Sequence, residues 1–314
     1  MRRLPISTLN VAAGYAVAAA LLWFFVRAAD YRVLVDGLRS AGWRLLAAGV
    51  VFRLLSLIAT SRRWQLLLLP VGAVPLRGIL AATMMGMAVS AVAPMQAAEV
   101  ARPYIVSRRY GVAFSSAMAT VVVEWVLDAL AVLTLFLPAL MWTRGGWSNQ
   151  VVVSGWPLER ALGLSALVAC AGFGALRLAP RAMATGHLGQ FAAGLRILER
   201  ADGLVGVAAY SLLVAALTAV SAWLSLIAFG LPVSFTSGFL VLGLVTVAGM
   251  IPTPAAAGGF HAVCQLGLVA FFNIDRAHTV LPVIALHGVL YVPGALLGAL
   301  CFMALPRGAG ASAA

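Results

Sequence analysis

Apolar residues along this chain gather into blocks long enough to cross a bilayer, and most polar positions fall between the blocks. A helix rises 1.5 Å per residue, so about 20 apolar residues span the roughly 30 Å of hydrocarbon. Blocks of that kind lie near residues 9–26, 43–60, 112–141, 160–178, 203–230 and 279–304, which predicts six full spans. Two further apolar stretches, 78–107 and 236–275, are broken near their middle by proline: Pro94 in SAVAPMQAAEVARP, and Pro252 and Pro254 in GMIPTPAAAGG. Proline removes a backbone donor and clashes with the preceding turn, so each stretch is expected to form two half-helices that enter and leave by the same face. The pattern predicts an all-α, polytopic transmembrane bundle of six spans and two re-entrant broken-helix hairpins, with residues 1–314 forming a single integral membrane domain. The first block follows Arg2 and Arg3 as a secretion signal would. It ends in the bulky LLWFFV where a cleavage site needs small residues, so it is expected to be a retained span.

Composition narrows the function classes. The 314 residues are 63% hydrophobic and only 10% charged, against about a quarter charged in soluble domains. No stretch has the ordinary polarity of a separate soluble domain, and no Arg-rich module interleaved with aromatics offers a nucleic-acid surface. The 21 basic residues are all Arg and give a net charge of +12. With a cytoplasmic N-terminus and two re-entrant hairpins, twelve arginines fall in inner loops and seven in outer ones, as the positive-inside rule requires. That orientation inserts the first hairpin from the cytoplasm and the second from the opposite side, the layout of an inverted repeat. A shift of 160 residues supports it by laying Pro94, Ala97 and Ala98 over Pro254, Ala257 and Gly258. Cys170, Cys264 and Cys301 are odd in number and lack the spacing of a metal site or disulfide framework, and the histidines form neither HxxxH nor HExxH, so no metal or cofactor is expected.

The chemistry is concentrated in a few charges stranded among apolar residues. Glu124 and Asp128 lie one helical turn apart in AFSSAMATVVVEWVLDALAVLTLFL and share a face that must look inward, because each acid costs about 2.5–3.5 kcal/mol at mid-bilayer. Two readings stand: the acids pair with Arg102 or Arg53 as structural glue, or they line a polar groove. In the first hairpin Glu99 and Arg102 are three residues apart and can pair on a helix. Either the pair holds the hairpin tip, or Arg102 grips an anionic head group that Glu99 orients. In the second hairpin, Thr253, Pro254 and Gly258 would leave backbone groups open to a ligand, and His261 and His287 could face an intramembrane acid. Arg62, Arg63 and Trp64, in SRRWQLLLLP, are placed as an interfacial anchor, with contact to lipid phosphate the sharper reading.

Taken in order, these segments resemble the lysylphosphatidylglycerol synthase transmembrane domain family, a flippase-like family. The family carries an Arg-Trp near an early span, then P-x-R-x-G-E-x-x-R, then E-R-x-x-D, and P-T-P-G-G-x-G-x-x-E before the last span. The matching residues are Arg63 and Trp64; Pro94, Glu99 and Arg102; Glu124 and Asp128; and Pro252, Thr253, Pro254 and Gly258. The chain departs from the pattern at Gln96, Ala98, Trp125, Ala255, Ala256 and His261, and His287 and Gly288 stand near where the last span would hold an Arg.

The resemblance implies a bacterial inner-membrane protein that binds an anionic or polyprenyl-linked lipid and moves it between leaflets. Arg102, Glu99, Glu124, Asp128, Thr253, Pro254, Gly258 and His261 would then form the binding site. The alternative is a non-transporting membrane partner that presents lipid to a separately encoded glycosyl- or acyl-transferase. Membrane lipids are the expected partners in either case. Without a nucleophile or metal set beside the acids, and without a nucleotide-binding loop, no enzymatic activity is expected.

Overall fold

The computed structural model describes residues 30–93, 97–142, 152–153, 156–157, 186–199, 201–249 and 256–304, with isolated residues inside 16–27, 167–175 and 251–253. These are helical apart from short connections and a two-residue ladder, Val152–Val153 against Trp156–Pro157. In chain order the helices are α1 (Tyr31–Ser40), α2 (Trp43–Leu68), α3 (Leu76–Val92), α4 (Ala97–Tyr110), α5 (Phe114–Trp142), α6 (Gly186–Leu195), α7 (Ala201–Ile227), α8 (Phe235–Gly249), α9 (Gly259–Phe272) and α10 (Arg276–Met303). Four of them, α2, α5, α7 and α10, contain segments long and apolar enough to cross a membrane, at Trp43–Leu68, Phe114–Phe136, Gly203–Ile227 and Arg276–Met303. The expected spans at 9–26 and 160–178 lie largely outside the described residues, as do Pro94, Gln96, Pro252, Pro254 and Ala255. The span expected at 43–60 runs on to Leu68, which carries Arg62 and Arg63 into the helix.

Both broken stretches fold back on themselves. A Cβ on Gly78 would meet the Tyr110 ring, and one on Gly86 would meet Arg102 Cγ and the Ala98 carbonyl, so α3 and α4 run antiparallel. Likewise Gly259 faces Ile251 and Gly267 faces Leu244, which makes α8 and α9 a second hairpin. At the tip of this second hairpin Ala256 has φ 57° and Gly258 φ 77°. Glycine adopts that left-handed backbone freely, whereas an alanine there is strained by its Cβ.

The order long helix, hairpin, long helix occurs twice. Helix α2 begins at Trp43 and α7 at Ala201, 158 residues later; the offsets for the next three pairs are 159, 162 and 162 residues. Helices α2 and α7 cross along small residues: Gly42 N donates to the Ala228 carbonyl at 2.7 Å, Ser221 Oγ to the Gly49 carbonyl at 2.8 Å, and Ser56 and Thr218 share a 2.9 Å hydroxyl bond. The pairings show that the two helices are antiparallel. Ser56 and Val214 are equivalent under the 158-residue offset, and they touch at 3.4 Å, so a pseudo-two-fold axis passes between them. The outer crossing repeats too. Gly298 of α10 lies against the Met84 carbonyl of α3, and the equivalent pair in the other half is Phe136 of α5 against Gly243 of α8. Glycine gives the close approach in both halves, from the long helix in one and the short helix in the other. Two antiparallel halves about such an axis are the inverted repeat read from the charge pattern.

Candidate functional site

Helix register gathers the stranded charges of the first half. On α2 the positions Ser56, Ala59, Arg63 and Leu67 fall on one buried face, which turns Arg63 into the bundle while Arg62 stays exposed and bonds Gln65. Arg63 Nη1 pairs with Asp128 Oδ1 and donates to Ser211 Oγ at 3.1 Å; Nη2 donates to Glu124 Oε1 and Asp128 Oδ2, each at 3.1 Å. Glu124 uses its second oxygen to accept from Arg102 Nη2 at 3.1 Å, and Arg102 in turn pairs with Glu99. Gly86 leaves the room through which the Arg102 side chain passes.

The result is one continuous chain, Glu99–Arg102–Glu124–Arg63–Asp128, drawn from α2, α4 and α5. Its middle is sealed and its ends are open: the Arg63 and Glu124 side chains are 2% exposed, whereas Glu99 is 29% and Asp128 42% exposed. Fully ionised, three carboxylates face two guanidinium groups, so one negative charge is left over. Trp64 closes one side, with Arg102 5.0 Å from its ring centre and its indole N–H donating to Thr120 Oγ1 at 2.9 Å. The Arg63 Nε–H is buried without a hydrogen-bond partner among the described residues.

Two sequence expectations need correction. Arg63 and Trp64 are 2% and 0% exposed, Arg63 within the buried ion chain and Trp64 packed against it, so they are not an interfacial lipid anchor. The Arg-Arg-Trp run looks like an interfacial band only while α2 is taken to end at residue 60. The expected inward face of Glu124 and Asp128 is also only half right, since Asp128 reaches the surface. The pairing with Arg102 is as anticipated, but Arg53 is not a partner; its Nε–H donates to the Leu290 carbonyl at 2.8 Å. Ser211 was not singled out. Its register on α7, seven residues before Thr218 on the α2-facing side, was the available signal.

The second-hairpin residues form a different group. His261 is buried, takes a 3.3 Å hydrogen bond from Gly258 N on its Nδ1, and stacks near Phe25 and His287 with ring centres 4.9 and 4.8 Å away. His287 continues to Tyr291 at 4.8 Å. Thr253 is 1% exposed, with its hydroxyl unpartnered among the described residues. The bonds of the first group stay within α2, α4, α5 and α7, so the described residues of the expected site, all of it but Pro254, divide between the two halves of the repeat. Of the departures from the family pattern, Ala98 lies at the hairpin contact and Trp125 is exposed beside the ion chain.

No curated protein matches the chain. A family model described as the lysylphosphatidylglycerol synthase TM region matches residues 11–298, and this multi-pass membrane protein belongs to that family.

Proposed function

We propose that the protein binds a lipid by its polar head and carries it between leaflets, using the ion chain of the first half as the polar foothold. The observation that supports this most is a row of five charged side chains, sealed in the middle and open at both ends, inside a helical bundle. A purely structural ion pair needs two partners. This row keeps a surplus carboxylate, with Glu99 and Asp128 reaching the surface where a head group could exchange for an internal partner. Such an exchange conserves ion pairs as the lipid enters, which lowers the cost of carrying charge through a medium where each bare ion costs several kcal/mol.

The surplus negative charge favours a head group bearing an amine. Holding an anion on Arg102, as the sequence alone invites, would require expelling Glu99 or Glu124 from it. The family description names a lipid whose head carries lysyl amines as well as a phosphate, which fits that preference.

The test is leaflet exchange in proteoliposomes, using lipids labelled on an acyl chain and bleached from outside. Wild-type protein should speed the exchange of an amine-bearing lipid over protein-free vesicles, and Glu124→Gln, with equal incorporation, should slow it about tenfold through loss of one charge-assisted contact. Equal rates for wild type and empty vesicles would remove the transport reading. Exchange that appears only with a co-purified transferase would favour a lipid-presenting partner instead.

A further inference from the structure

Arg53, eleventh of the 26 residues of α2, is half-buried in a segment long enough to cross the membrane. Arginine stays protonated, and a guanidinium in hydrocarbon needs a counter-charge. Ten residues further along the same helix Arg63 has two carboxylates. Among the described residues Arg53 has none within ion-pair distance, and its one hydrogen bond there is to the Leu290 carbonyl.

The inverted repeat explains the contrast. Under its offsets Arg53 falls on Ser211, which touches the ion chain, while Glu99 falls on His261, Glu124 on Leu286 and Asp128 on Leu290. Each acid of the first group is replaced in the second by a residue that is not an acid. Arg53 bonds the Leu290 carbonyl next to Tyr291, and from Tyr291 a run of rings 4.8 Å apart leads through His287 to His261. Among the described residues the two pseudo-equivalent places thus carry opposite charge, one surplus carboxylate in the first half and one guanidinium without a carboxylate in the second.

We propose that Arg53, bonded at Leu290 next to the run of rings Tyr291, His287 and His261, is an anion site that takes the phosphate of a lipid head group. The site rests on the lipid-binding reading and adds to it the part of the head that the first group does not serve. A head bearing both amine and phosphate would meet a carboxylate surplus in one half and a guanidinium in the other.

Thermal unfolding of the purified, delipidated protein tests this, because a ligand that binds only the folded state raises the melting temperature. The probes are a phospholipid, a phosphate-free cationic diacyl lipid and inorganic phosphate. The phospholipid should stabilise wild type, and Arg53→Met should weaken its binding at least about tenfold, the loss of one charge-assisted pair. Arg53→Met should itself melt at or above the wild-type temperature without lipid, since it removes an uncompensated charge from an apolar helix; Arg53→Lys should retain part of the lipid effect. The proposal is overturned if Arg53→Met responds to phospholipid as wild type does, if Arg53→Met weakens the response to the phosphate-free lipid, which the carboxylates of the first half can bind, as much as it weakens the response to phospholipid, or if inorganic phosphate alone binds as tightly as the lipid. Should Arg53→Met fail to fold, loss of the phospholipid response in His261→Phe supports the site, and a wild-type response there together with a full response in Arg53→Lys overturns it. If Arg53 proves irrelevant while Glu124→Gln still slows leaflet exchange, only the anion site falls.

Discussion

At the scale of single residues, burial decides which charges matter. Glu124 holds both arginines and is sealed, so Arg63→Ala would leave Glu124 and Asp128 without that partner; breaking a buried pair from one side costs about 3–5 kcal/mol. Asp128 is 42% exposed and water can replace its partner, so Asp128→Asn is expected to cost about 1 kcal/mol or less. Thermal melts in detergent should therefore rank Arg63→Ala far below Asp128→Asn; equal melting temperatures would mean the ion chain is not buried in the folded protein. The sequence made the stranded acids and the Glu99–Arg102 pair plain, because four-residue and three-residue spacings have only one meaning on a helix. It misplaced Arg63 because an arginine beside a tryptophan at the end of an apolar block reads as an interface, and only the true end of α2 shows otherwise.

Among the helices, glycine positions set how closely they approach. A Cβ on Gly298 would strike the Met84 carbonyl, which as backbone cannot swing aside, whereas one on Gly288 of the same helix meets nothing within 4 Å. Gly298→Val should push α10 off α3 and cost about 1–3 kcal/mol, the range for overpacking, while Gly288→Ala should be neutral or slightly stabilising through helix propensity. Comparable melting of the two variants would count against the α3–α10 crossing. At the second hairpin tip, Ala256→Gly should relieve the left-handed strain and raise the melting temperature slightly. The start of α10 adds a pH term outside the membrane. Asp275 is held below the usual carboxylate range first by the Ala277 N–H and then by His278. A depressed folded-state value means this cap contributes above the unfolded pKa and is lost as pH falls through the folded one, so Asp275→Asn should flatten the acid side of the stability curve. The hairpins were legible from proline and apolar length. The Gly–backbone contacts were not, because a glycine in an apolar run carries no mark of which neighbour it faces.

Across the whole molecule, the repeat gives one fold two polar places of unlike charge, and its antiparallel halves would turn them toward opposite leaflets. The charge asymmetry of the loops already pointed to this layout, since re-entrant hairpins with a cytoplasmic N-terminus satisfy the positive-inside rule. The division of the expected site into two groups was not visible, because proximity in a bundle depends on which helices cross, and here α2 and α7 stand at the centre. On the proposed function, opposite-facing hairpins would let the two places serve the two leaflets, and the loops at their bases can be reached directly. Ala73 precedes the first hairpin and Ser234 the second, and both are exposed. With Cys170, Cys264 and Cys301 replaced by serine, Ala73→Cys and Ser234→Cys should react with a membrane-impermeant maleimide from opposite sides of sealed, uniformly oriented vesicles, Ala73→Cys from the side of the positively charged loops. Labelling of both variants from the same side would contradict the inverted arrangement and the pairing of the two sites with it.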